Sequence, residues 1–129
     1  MTTIDIGKEV AALCKQGKNQ EAIDRFYLPT IESVEPCAMP GMDQTQTGIS
    51  AIKKKNQCWV NHHEIHGETV NGPYPHGDRF ILHFKYDVTP THSGKRKALD
   101  ELGLDTVQNG KVVKEEFFYS MSAPDCGPH

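Results

Sequence analysis

"KALDELGLDTVQNGKVVKEEFFY", residues 97–119, can be read two ways, and the choice decides the fold. By propensity the segment KALDELGL favours a helix. Asn109-Gly110, however, is a strong signal for a two-residue hairpin turn, because both positions tolerate positive φ. The chain beyond the turn, KVVKEEFFY, is rich in Val and aromatic residues, as strands are. A hairpin needs a strand on each side of its turn, so residues 96–107 are expected to be a strand.

Working outward, "RFILHFKYDV" (79–88) alternates Phe80, Leu82, Phe84, Tyr86 and Val88 with Ile81, His83, Lys85 and Asp87, a strand pattern. "TIESVEP" (30–36) alternates in the same way over a shorter run. The chain after Gly67 also reads as strand, followed by a loop at "NGPYPHGD" (71–78). Helical spacing governs the N-terminal part. Ile6, Val10 and Leu13 form one stripe that ends at Gly17. Ile23, Phe26 and Tyr27 form a second over 19–28, closed by Pro29. After a long Pro-, Gly- and Thr-rich loop (36–48), Ile49, Ile52, Asn56, Trp59 and Val60 form a third.

The expected order is helix, helix, strand, helix and four strands. It predicts an α+β fold in which a curved, mostly antiparallel sheet wraps around three N-terminal helices, with a cavity at its open end. Residues 1–121 are expected to form one domain and 122–129 a flexible tail.

The 129 residues are 36% hydrophobic and 24% charged, with a formal net charge of −3. Such a balance argues against nucleic acid and anionic membrane surfaces as partners. The lysine runs 53–55 and 95–97 read as solvated faces. The N-terminus lacks the pattern of a signal peptide, and no segment approaches a membrane span, so a cytoplasmic location is expected. Cys14, Cys37, Cys58 and Cys126 are scattered, and reduced thiols are expected.

The chain resembles the SnoaL-like polyketide cyclase branch of the nuclear transport factor two-like, cystatin-like superfamily. The resemblance lies in "GISAIKKKNQCW", "GPYPHGDRFILHFKYDVT" and "NGKVVKEEFFY", and covers about residues 4–120. It implies a cone-shaped pocket and a homodimer through the outer face of the sheet, to which Leu102 and Leu104 would contribute. Cyclase-like members carry a catalytic aspartate about seven residues before the turn glycine, and here that position is Gly103.

"CWVNHHEIHGETV" (58–70) holds His62, His63 and His66 beside Trp59, the only tryptophan. The spacing is not that of a helical zinc motif, and neither a metal nor any other cofactor is expected. Extending the stripe Ile52, Asn56, Trp59 by four residues reaches His63, a candidate acid or base beside a flat apolar wall. Cys58 falls on the lysine side of the helix and shows no sign of activation.

Among carboxylates, alternation places Asp100 with the leucines and Glu101 with Gly103. Apolar content points the Asp100 face inward; the resemblance points the Glu101 face inward. Both remain candidates, as does Glu116. Asn56, Trp59, Phe80, Phe84, Tyr119 and Phe26 are the candidate ligand contacts. The expected ligand is a small hydrophobic molecule. The function is left between a cofactor-free acid–base enzyme (isomerase, cyclase or hydrolase type) and a non-catalytic binding domain.

Overall fold

The computed structural model describes residues 1–38 and 41–120. Helix α1 (Thr3–Lys15) opens with a capping box, in which Thr2 and Asp5 each bond the other's backbone N–H. Helix α2 (Asn19–Phe26) leads directly into β1 (Tyr27–Val34). A short β2 (Thr45–Thr47) precedes α3 (Ile49–Asn61), and β3 (His63–His76), β4 (Arg79–Pro90), β5 (Lys97–Gln108) and β6 (Lys111–Phe118) follow.

The six strands form one sheet in the order β2-β1-β6-β5-β4-β3. All neighbours are antiparallel except β1 and β6, which run parallel. The helices lie against one face, with the core formed by Ile6, Val10, Ile23, Ile31, Phe80, Leu82 and Val112 among others. The domain is thus α+β, a curved sheet around three N-terminal helices.

The stretch that decided the fold is a hairpin, with Asn109 and Gly110 both at positive φ (52° and 78°). Several details differ from the sequence reading. The second helix ends at Phe26, so Tyr27 and Pro29 belong to β1, and β3 begins at His63 rather than after Gly67. The loop 36–48 contains β2, which pairs with the end of β1. Residues 71–76 belong to β3, which continues through register shifts that the prolines and Gly72 would hide from a pattern search. Cys58 is disulfide-bonded, against the expectation of reduced thiols; sequence spacing carries no information on which sulfurs the fold brings together. The expected tail, 122–129, lies outside the described residues, as does Cys126.

Among the described residues, no helix is long and apolar enough to cross a membrane.

Gly7 sets how closely α1 can approach the sheet. A Cβ built there would lie 2.9 Å from Pro73 Cβ and 3.1 Å from the Phe80 ring. In an open helix Gly→Ala gains about 1 kcal/mol of helix propensity. Here the added methyl pushes against a rigid proline ring and a fully buried Phe80, at about 1–3 kcal/mol for overpacking. Gly7→Ala should therefore lower the denaturant midpoint; a raised midpoint would show that α1 can shift freely.

Candidate functional site

A cavity of about 330 Å³ opens between the helices and the inner face of the sheet. Exposed Gly17, Gln57, Val60 and Ile65 line part of its wall, marking where it reaches the surface. Its apolar side is aromatic. Trp59 stands 5.0 Å from Tyr86 between ring centroids, and Tyr86 lies parallel to Phe84 at 6.1 Å.

The other side is polar and deeply buried. Along β5 the inward residues are Glu101, Gly103, Asp105 and Val107, all buried, whereas Asp100 and Leu102 face out. Asp105 is the register partner of Glu115 on β6. Glu115 is bonded on both oxygens: Tyr27 Oη donates to Oε2 at 2.5 Å and Ser33 Oγ to Oε1 at 2.7 Å. Lys55 Nζ in turn donates to Ser33 Oγ and to Glu35 Oε1, each at 2.6 Å. Since an ammonium can only donate, the Ser33 hydroxyl proton is left to point at Glu115. Tyr119 Oη donates to Glu35 Oε2 at 3.0 Å.

This geometry decides where a proton sits. Both Glu115 oxygens act as acceptors, the pattern of a carboxylate. Asp105 beside it is pushed well above the ordinary range, first by burial and then by the charge of Glu115. Of this cross-strand pair, Asp105 holds the proton. Burial first, then the Glu115 charge, likewise raises Tyr27 well above a normal phenol, so it stays a donor. Cys14, also in the wall, is pushed up to about 12 by burial and the same two acids, which leaves it a thiol and a poor nucleophile.

The structure sorts the candidates read from sequence. Glu101, Trp59, Asn56 and Phe84 line the cavity. Asp100 lies on the outer face, paired with His83. The apolar content of β5 misled because its inward face borders a polar cavity rather than the core. Glu116 also faces away, 3.8 Å from Lys114. An ideal hairpin from Asn109-Gly110 would have placed Glu116 opposite Gly103. A bulge between Thr106 and Val107 shifts the register by one and puts Glu115 inward instead. Phe80 and Phe26 are core residues, and Tyr119 reaches the site through Glu35.

His63 is buried, but it is not among the residues lining the cavity. Its ring stacks on Trp59 at 4.6 Å, and its Nδ1 donates to the Trp59 carbonyl at 2.8 Å. It braces the wall from the side away from the cavity. His62 and His66 bond separately, to the Cys58 carbonyl and the Thr89 hydroxyl.

Asp105, Glu115, Lys55, Glu35, Tyr27 and Ser33 escaped the sequence reading. Lys55 had a signal, since it lies on the Ile52–Trp59 stripe at helical spacing, although the lysine run suggested a solvated face. Asp105 shares the face of Glu101 and Gly103. Glu115 had no local signal, because the bulge decides its side.

Residues 1–119 match the SnoaL-like domain family. The chain belongs to that family. Its fold is cystatin-like. A SnoaL-like protein from Mesorhizobium loti is 44% identical, with a TM-score of 0.85, covering 92% of this chain and 100% of that one. TerC, co-crystallised with polyporic acid, is 21% identical with a TM-score of 0.71, over 92% and 91% of the two chains. A Catenulispora acidiphila protein with a ketosteroid isomerase-like fold, in complex with trimethylamine, is 20% identical with a TM-score of 0.70, over 95% and 91%. No curated protein matches the chain in sequence.

Asp105 also predicts a pH dependence. Its folded-state pKa lies above the ordinary 3.8 that the unfolded chain would show. The stabilisation from its protonation is therefore complete below that value and is lost as pH rises through the folded one. Melting wild type and Asp105→Asn from acid to neutral pH should show wild type losing stability relative to the variant as pH rises. A relative gain would mean that Asp105 is ionised in the fold.

Proposed function

We propose that this SnoaL-like domain is a cofactor-independent acid–base catalyst for a small, largely apolar molecule carrying a carbonyl or epoxide oxygen. The observation that carries this reading is the asymmetric pair in the wall of an aromatic cavity. Glu115 is bonded on both oxygens by Tyr27 and Ser33. Its register partner Asp105 is buried beside it without those donors' bonds, held well above the ordinary carboxylate range by burial and the Glu115 charge. A neutral acid in such a place can give its proton to a substrate oxygen as negative charge develops there, and Glu115 stays charged beside it.

Glu101 supplies the complementary base. It lies on the same face of β5 two residues from Gly103, as Asp105 does on the other side. Four residues of strand separate the two acids by roughly 13 Å at their Cα atoms. Side chains leaning inward from both ends can address two positions of one substrate lying over Gly103. His63 acts through Trp59, by holding the indole, and exchanges no proton with the substrate. The small molecules bound by TerC and by the Catenulispora protein support treating the cavity as a ligand site.

The resemblance also implied a homodimer. Leu102 and Phe118 are register partners on the outer face, 38% and 49% exposed, which supports placing a second copy there.

One observation favours the alternative of a binding domain without chemistry. At the position where cyclase-like members carry aspartate stands Gly103, whose Cβ would meet Phe84 and Phe117 at 3.3 Å. The two readings separate in a turnover screen of apolar carbonyl compounds and epoxides. Catalysis predicts that Asp105→Asn lowers kcat about 10²–10⁴-fold while far-ultraviolet circular dichroism stays unchanged. A binding domain predicts ligands that perturb Trp59 fluorescence and are never turned over. Equal turnover by wild type and variant would remove Asp105 from the chemistry.

A further inference from the structure

Two polar side chains stand where the helical pattern calls for apolar ones. On α3 the inward row runs Ile52, Asn56, Trp59, and both of Asn56's neighbours in it are buried. On α2 the corresponding row is Asn19, Ala22, Ile23 and Phe26, of which the last three are buried. Asn19 and Asn56 are half-buried, and both line the cavity. The Asp24–Lys53 ion pair ties α2 to α3. The two asparagines thus belong to the helical wall of the cavity, whereas Asp105 and Glu115 belong to its sheet wall.

The fold uses neither carboxamide. Among the described residues, the side chains of Asn19 and Asn56 have no hydrogen-bond partner, whereas the adjacent Gln57 bonds Asn61 at 2.8 Å. At such a position Leu would stabilise the chain more, because it adds apolar burial and leaves no polar group to satisfy. Water hydrates a half-buried amide, but a ligand entering the cavity displaces that water. A wholly apolar ligand would strand each amide it covers, at a loss of about tenfold in affinity apiece. A hydroxyl avoids the loss, since it donates and accepts as a carboxamide does. An ammonium can only donate, and a carboxylate can only accept.

We infer that the ligand of this cavity carries a hydroxyl group directed at the α2–α3 wall, where Asn56 and Asn19 recognise it. This rests on the reading of the cavity as a small-molecule site and narrows the class of molecule it takes. The apolar body of the ligand then lies against Trp59, with its hydroxyl toward the helices and its reacting oxygen toward Asp105 on the sheet.

Two measurements on the full chain test this. Without ligand, Asn56→Leu and Asn19→Leu should leave the denaturant midpoint unchanged or raise it. A lowered midpoint in both would show that the fold itself needs the amides, and would overturn the inference. The second measurement titrates wild type and both variants with borneol and with bornane, the same cage without the hydroxyl, and follows the fluorescence of Trp59, the only tryptophan. The borneol-to-bornane affinity ratio should fall about tenfold in each variant, with bornane bound no more weakly than by wild type. If both compounds bind and neither variant changes the ratio, the hydroxyl inference is wrong and the small-molecule cavity stands. If neither compound perturbs Trp59, the inference and the cavity reading fail together.

Discussion

A carboxylate removed from water costs several kcal/mol unless hydrogen bonds replace its hydration. Glu115 receives that replacement from Tyr27 and Ser33, and the arrangement of three elements follows from it. Both donors sit on β1, which is why the parallel β1–β6 pairing matters: it brings Ser33 beside Glu115 in register. Lys55 then closes the network from α3, fixing the direction of the Ser33 hydroxyl and neutralising Glu35. Hydrogen bonds to charged groups of this kind contribute about 1.5–3 kcal/mol each, but removing one partner costs more, because the other is left buried. The network thus ties helix α3 to the sheet and also specifies which acid of the Asp105–Glu115 pair keeps its proton.

The cavity depends on what is absent as much as on what is present. Gly103 interrupts a face that otherwise carries Glu101 and Asp105, and the rings of Phe84 and Phe117 close in on it. A side chain there would fill the floor of the cavity between the two acids. Trp59 is held at the opposite wall by the stacked His63, whose Nδ1–H is committed to the backbone. The histidine that looks most chemical in the sequence therefore stacks on a ring, and the proton chemistry proposed for the cavity falls to the acids.

The fold was legible because its signals are local. The Asn109-Gly110 turn, the alternation of β4 and the three helical stripes each depend on residues close in sequence, and each survives in the structure. What was lost lay in irregularities: β2 is three residues long, and β3 passes through two glycines and two prolines. The site was less legible for a related reason. Strand parity is a period of two, so one bulged residue exchanges the faces, and the bulge between Thr106 and Val107 turned Glu116 outward and Glu115 inward. On β5 the hydrophobic rule points the wrong way, because the leucines cover the outer face and the acids face a cavity. Lys55, by contrast, could have been found from helical spacing alone.

The central claim is that Asp105 is a neutral carboxylic acid at neutral pH inside the cavity. Infrared spectroscopy reads this directly through the C=O stretch of a protonated carboxyl, which is distinct from the bands of a carboxylate. The account predicts a protonated-carboxyl band in wild type at neutral pH that disappears in Asp105→Asn and remains in Glu101→Gln. A wild-type spectrum whose protonated-carboxyl region is unchanged by Asp105→Asn would contradict it.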